Sequence, residues 1–218
     1  MVSQYVQQLM VDCGSGRLQA RIRYAQQQDQ GIGVILCPPH PLLAGNMENN
    51  VITALSRRLA REFPVLTFNY RAVGRSFSPE PDLPLFEYWN RLDQSGDFSS
   101  IIRDTRGLLA WSRRLFSAVH LAGYSFGSFI ALSAMTVQTL SLSVIAPPLA
   151  EHDFSGLPSL ELPVLMVAAE QDNLLAVADV PIPEISHRMI KGSDHFFVGR
   201  EEEVADQVAV FLKGLPSG

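Results

Sequence analysis

Only two cysteines, Cys13 and Cys37, occur among the 218 residues. They are too few for a disulfide framework, and their spacing fits no zinc site. Cys37 closes the apolar run Val34-Ile35-Leu36 and reads as a small buried residue. Basic charge is also scarce. The net charge is −5 and the arginines are scattered, which speaks against a nucleic-acid partner. No apolar run approaches the roughly 18 residues of a membrane span. The first eight residues lack the charged segment and long apolar stretch of a signal peptide. A soluble cytoplasmic protein, partnered with neither nucleic acid nor membrane, is expected; nothing here speaks to its oligomeric state. Low-complexity tracts, internal repeats and linkers are absent as well. With 47% apolar residues there is material for one sizeable core, and a single domain over 1–218 is expected.

Short apolar runs alternate with amphipathic ones. The clearest strands are 33–37, 65–69, 118–122, 141–145, 164–168 and 187–190. Most are apolar nearly throughout, as when both faces of a parallel sheet are covered. Residues 48–63 place Ile52, Leu55, Leu59 and Phe63 on one stripe of a helix, with Arg57, Arg58 and Arg61 toward solvent. Residues 99–115 read likewise, with Ser99 or Ser100 as cap. A last helix opens on Glu201-Glu202-Glu203, acids favourable at a helix N-terminus. The first thirty residues alternate better and predict an antiparallel edge hairpin, 6–12 with 17–24. The pattern is that of an α/β fold, a mainly parallel doubly wound sheet with helices on both faces. Residues 77–98, with Pro79, Pro81 and Pro84, read either as a surface loop or as a flap over a pocket.

Gly123-Tyr124-Ser125-Phe126-Gly127 has the spacing G-x-S-x-G, directly after one strand and before an apolar, small-residue helix. A serine on so sharp a turn is lifted above the sheet, and glycines two residues either side remove clashes. The helix N-terminus then aims N–H groups at any oxyanion formed beside Ser125. A serine hydroxyl needs a base. Of the five histidines, His40 and His120 precede the serine, whereas this fold orders its partners Ser, acid, His. His120 lies within a strand and reads as a satisfied core residue. His152 comes before the acid, and His187 begins a strand. His195 follows the last strand, at the carboxyl edge of the sheet, and is the predicted base. The acid should follow the penultimate strand, where Asp172 is favoured over Glu170 because it lies further into the loop. Asp194, next to His195, should shape the loop. One oxyanion donor is the Phe126 N–H. Pro38, Pro39 and Pro41 remove donors from the loop after 33–37, leaving the Leu42 N–H as the second. His40, Tyr124, Phe86 and Trp89 are candidates for the substrate pocket. His40 has no second ligand at a metal spacing, and its side chain reads as structural.

These residues resemble the small, lidless bacterial α/β-hydrolases related to dienelactone hydrolase, over about residues 30–213. Three stretches carry the resemblance: Pro39-His40-Pro41-Leu42 through Asn49, Phe68-Asn69-Tyr70-Arg71-Ala72-Val73-Gly74-Arg75-Ser76, and Gly192-Ser193-Asp194-His195-Phe196-Phe197. It implies a triad of Ser125, Asp172 and His195, backbone donors Leu42 and Phe126, and no large cap domain. Ala72 stands where that group has glycine, and 78–97 is longer than usual. Dienelactone hydrolase itself uses a cysteine nucleophile, so its substrate is not carried over. The expected activity is hydrolysis of a small ester or related acyl compound through an acyl-enzyme, without a metal or organic cofactor. Gly31-Ile32-Gly33 and Gly14-Ser15-Gly16 are too short for a dinucleotide fingerprint. An acyltransferase or peptidase using the same residues, or a binding protein on the same fold, are the alternatives.

Overall fold

The computed structural model describes residues 3–25, 31–175 and 185–215. Eight strands form one sheet: β1 (Gln4–Asp12), β2 (Arg17–Ala25), β3 (Ile32–Cys37), β4 (Val65–Phe68), β5 (Ala118–Tyr124), β6 (Thr139–Ile145), β7 (Val164–Ala169) and β8 (Ser186–Ile190). Their spatial order is β1-β2-β4-β3-β5-β6-β7-β8. The hairpin β1–β2 and the β2–β4 pair are antiparallel, and every other pair is parallel. The order reverses between β3 and β5. In open α/β sheets the crevice at the carboxyl ends of such neighbours is where ligands bind.

Five helices cover the sheet: α1 (Asn50–Leu59), α2 (Leu85–Ser95), α3 (Ser99–Ser112), α4 (Phe126–Ala134) and α5 (Glu201–Lys213). α1 and α5 pack together on one face, over Val34, Leu36, Val65 and Val167. α3 and α4 cover the other, over Ile35, Leu66, Leu121 and Val144. Strands apolar on both faces are thus buried on both faces. Full burial of one such aliphatic side chain stabilises the fold by about 2 kcal/mol. Among the described residues no helix is long and apolar enough to cross a membrane.

Several boundaries differ from those expected. α1 is shorter than 48–63 because the Asn49 side chain caps it, accepting from Val51 N at 3.0 Å, and its last turn ends at Ala60. α3 ends at Ser112, and neither Ser99 nor Ser100 caps it. The cap position is Phe98, and Asp97 just before it accepts from Ser99 N at 2.9 Å. Residues 77–98 hold α2, entered at Pro84 and closed by Gly96 at φ 65°. Ala72 takes φ 61°, so the turn keeps the left-handed backbone that glycine would supply, at a cost of about 1 kcal/mol.

The turn after β4 props up the loop after β3. Asn69 Oδ1 accepts from Met47 N at 2.8 Å, and the buried Tyr70 hydroxyl donates to Pro38 O at 3.0 Å. Arg71 forks onto both oxygens of Asp104 on α3, at 2.7 Å each, with its ring-side face over Phe77. Its Nη2 also donates to Ser100 O at 3.3 Å. A buried ion pair thereby fixes α3 against the turn after β4, and Arg71 Nη1 also donates to the Tyr88 hydroxyl in the first turn of α2 at 3.5 Å.

Candidate active site

β5 runs two residues beyond 118–122 and delivers Ser125 at its tip, on the turn into α4. Ser125 has φ 54° and ψ −125°, a conformation that costs a non-glycine residue on the order of 1–3 kcal/mol. The surrounding bonds hold it there. Ser125 N donates to Ile145 O at 2.8 Å, and the buried Ser128 hydroxyl donates to Gly123 O at 2.7 Å while accepting from Ile145 N at 3.1 Å. Sequence reasoning missed Ser128, although a serine in the first turn of a small-residue helix is a signal it could have used. The flanking glycines are required. A Cβ on Gly123 would lie 2.0 Å from Gly127 O, and one on Gly127 would lie 2.2 Å from Cys37 O.

Ser125 Oγ is 2.8 Å from His195 Nε2, and His195 Nδ1 is 2.8 Å from Asp172 Oδ2. All three side chains are buried. Because a carboxylate only accepts, the Nδ1 proton faces Asp172 and leaves Nε2 to accept from the serine hydroxyl. Asp172 Oδ1 accepts from Leu174 N at 2.9 Å, which fixes the carboxylate plane. Glu170 points elsewhere: its Oε2 accepts from Gly192 N at 2.8 Å, at the start of the histidine loop. Asp194 Oδ1 accepts from Phe196 N at 3.0 Å and so turns that loop.

Phe126 is the first residue of α4, where a helix leaves its N–H groups without intrahelical acceptors. Leu42 lies in a single 3-10 turn, Pro41–Leu43, and its N–H donates to His40 Nδ1 at 3.3 Å. His40 Nε2 sits 3.0 Å from Asp93 Oδ1 on α2, out of line for a hydrogen bond. Its ring meets the edges of Trp89 and Phe126 at 5.1 and 5.0 Å. Burial holds the His40 imidazole below its ordinary pKa, against the pull of Asp93 and Glu151.

A cleft of about 430 Å³ opens over Ser125. Ser125, Phe126, His40 and Leu42 line its floor, and Asp93, Phe98, Pro148, Glu151, His152 and Leu174 are among its walls. Of the four pocket residues expected, only His40 lines it. Trp89 is fully buried behind His40, its indole N–H donating to Arg71 O at 3.3 Å. Phe86 is 64% exposed and stands two turns, about 10 Å, along α2 from Asp93. Tyr124 turns to the opposite face of the sheet, against Phe197. Residues 77–98 are accordingly neither bare loop nor flap: α2 walls the cleft, through Asp93. His152 also lines it, with its ring stacked on Phe129 at 4.6 Å and 11°. His120 is buried away from the cleft, Nδ1 2.8 Å from Ser141 Oγ. Among the described residues no three His, Cys, Asp or Glu side chains converge as metal ligands.

No protein-family model matches the chain. An uncharacterized protein of Rickettsia prowazekii is 25% identical over 220 residues, covering 90% of this chain and 84% of that one. Among solved structures, a protein of unknown function and candidate α/β-hydrolase from Agrobacterium tumefaciens superposes with a TM-score of 0.78. It is 25% identical and covers 95% of each chain. A lidless α/β serine hydrolase from Xanthomonas campestris superposes at 0.75 with 23% identity, over 98% of this chain and 96% of that one. The sheet order, the helices on both faces and these likenesses agree: the chain has the α/β-hydrolase fold, and among the described residues it carries no cap domain.

Proposed function

We propose that the protein is a serine hydrolase that cleaves a small ester through an acyl-enzyme on Ser125. The observation that carries this reading is the unbroken chain of contacts from Asp172 through His195 to Ser125, both links at 2.8 Å. His195 Nε2 takes the hydroxyl proton as Oγ bonds to the ester carbonyl carbon. The Phe126 N–H meets the developing oxyanion, joined by the Leu42 N–H as its long bond to His40 gives way. The imidazolium, held by Asp172, returns the proton to the leaving alcohol as the C–O bond breaks. Water then enters by the same route and releases the acid. A volume of about 430 Å³ suits a small ligand, which supports the modest substrate size.

The test is labelling with a fluorophosphonate probe beside turnover of short p-nitrophenyl esters. Wild-type protein should label at Ser125 and turn over the esters, and Ser125→Ala should do neither. Asp172→Asn should lower kcat by several orders of magnitude, whereas Glu170→Gln should cost only a small factor. Absence of both labelling and turnover in folded wild-type protein would refute the reading.

A further inference from the structure

The walls of the Ser125 cleft carry charge of one sign. Asp93, on the last turn of α2, and Glu151, just beyond β6, both line it, and among the described residues no lysine or arginine does. Several acids elsewhere are paired with arginine: Asp104 with Arg71, Glu80 with Arg91, Glu48 with Arg21. Asp93 and Glu151 both act on the imidazoles of His40 and His152, and among the described residues no lysine or arginine lines the cleft beside them. The two imidazoles in the cleft do not offset the acids. Burial pushes both His40 and His152 below their ordinary pKa, toward the neutral form, against the pull of the two acids. Aromatic rings complete the lining. Phe98 and Phe126 line the cleft and meet His152 at 5.6 and 5.4 Å. Asp93 and Glu151 are exposed, while Phe98 and Phe126 are buried beneath them; carboxylates at the mouth of an aromatic-lined cleft favour an organic cation. Ser125 at the floor marks the cleft as a place for a reacting ligand; the acids decide what charge that ligand carries.

We propose that the cleft selects esters bearing an ammonium group a few bonds from the scissile carbonyl, with Asp93 and Glu151 as the residues that set this specificity. The proposal rests on the hydrolase reading above. The bonds made and broken are those already described, and the ammonium group takes no part in them. A cation lying within about 6 Å of either carboxylate is favoured over its uncharged carbon isostere, and an anion in the same place is repelled.

Matched pairs of esters test it. One pair varies the alcohol, choline butyrate against 3,3-dimethylbutyl butyrate. The other varies the acyl group, p-nitrophenyl 4-(trimethylammonio)butanoate against p-nitrophenyl 5,5-dimethylhexanoate. In at least one pair the cationic member should have about tenfold higher kcat/KM at low ionic strength, shrinking several-fold in 0.5 M salt. Asp93→Asn and Glu151→Gln should each lower that cationic-to-neutral ratio, and the double variant should bring it close to one. A merely structural role for the two acids would lower both members of a pair alike and leave the ratio unmoved, which would overturn the assignment. Good turnover of the neutral esters with a ratio at or below one in both pairs would overturn the specificity and leave the hydrolase reading standing. Failure of all four esters together with no fluorophosphonate labelling would remove both.

Discussion

Tyr124 and His195 are joined twice, although one precedes the serine and the other lies 71 residues further on. The Tyr124 hydroxyl donates to His195 O at 3.0 Å, and the two rings stack at 6.0 Å and 29°. The strand that presents Ser125 therefore also holds the loop that presents His195, the proposed base. Replacing Tyr124 with phenylalanine leaves the stack and removes the bond. The expected outcome is a kcat roughly tenfold lower with KM little changed, because a small displacement of the base acts on the chemical step. Steady-state kinetics on one neutral ester, with a melting curve to gauge lost stability, checks it.

The Arg71–Asp104 pair predicts a stability effect. Both side chains are buried, and Asp104→Ala would strand the guanidinium charge. A loss of about 3–5 kcal/mol is expected, read from the midpoint of urea unfolding. The double replacement Arg71→Met with Asp104→Leu should recover most of that loss, since no buried charge then lacks a partner.

A third expectation concerns acid. Burial pushes the His120 imidazole down to about 4, against an unfolded value near 6.5. Below about pH 6.5 the unfolded chain takes up a proton that the folded chain refuses. Stability from this residue is therefore fully present above pH 6.5 and is lost as the pH falls toward 4. The loss amounts to about 2 kcal/mol between pH 6.5 and 5. His40 and His152, also held below their ordinary values by burial, act in the same direction. Urea unfolding at pH 7 and pH 5 should show a shallower acid-side loss for His120→Asn than for the wild type.

What could be read in the sequence divides along physical lines. The strands 33–37 and 164–168 were legible because a strand buried on both faces has no polar residue to interrupt it. The elbow was legible because its glycines answer to steric limits that the structure reproduces at 2.0 and 2.2 Å. The first hairpin was legible from its alternation. α2 was not, although Tyr88, Trp89 and Leu92 recur at helical spacing between Pro84 and Gly96; three prolines just upstream dominated the reading. The pocket residues failed for a different reason. Tyr124 and Trp89 are near the serine in chain or in space, but the face each presents follows from the twist of β5 and the rotation of α2. No spacing rule supplies those. Chain order excludes His152 as the base, but that rule says nothing about the walls, which His152 lines.

Glycine at 123 and 127 means that the turn carrying Ser125 is made where main chain meets main chain, with Gly127 against the Cys37 carbonyl. A turn of that kind has no side chain to exchange at its two glycines, so its geometry is closed to substitution there. The walls, by contrast, are side chains from α2 and from the segment after β6. Altered selectivity should therefore arise through positions such as Asp93, Phe98 and Glu151, while the distance between the serine and its oxyanion donors stays constant. On the proposed reading, a change of substrate should come through the walls, while the turn that presents Ser125 stays fixed.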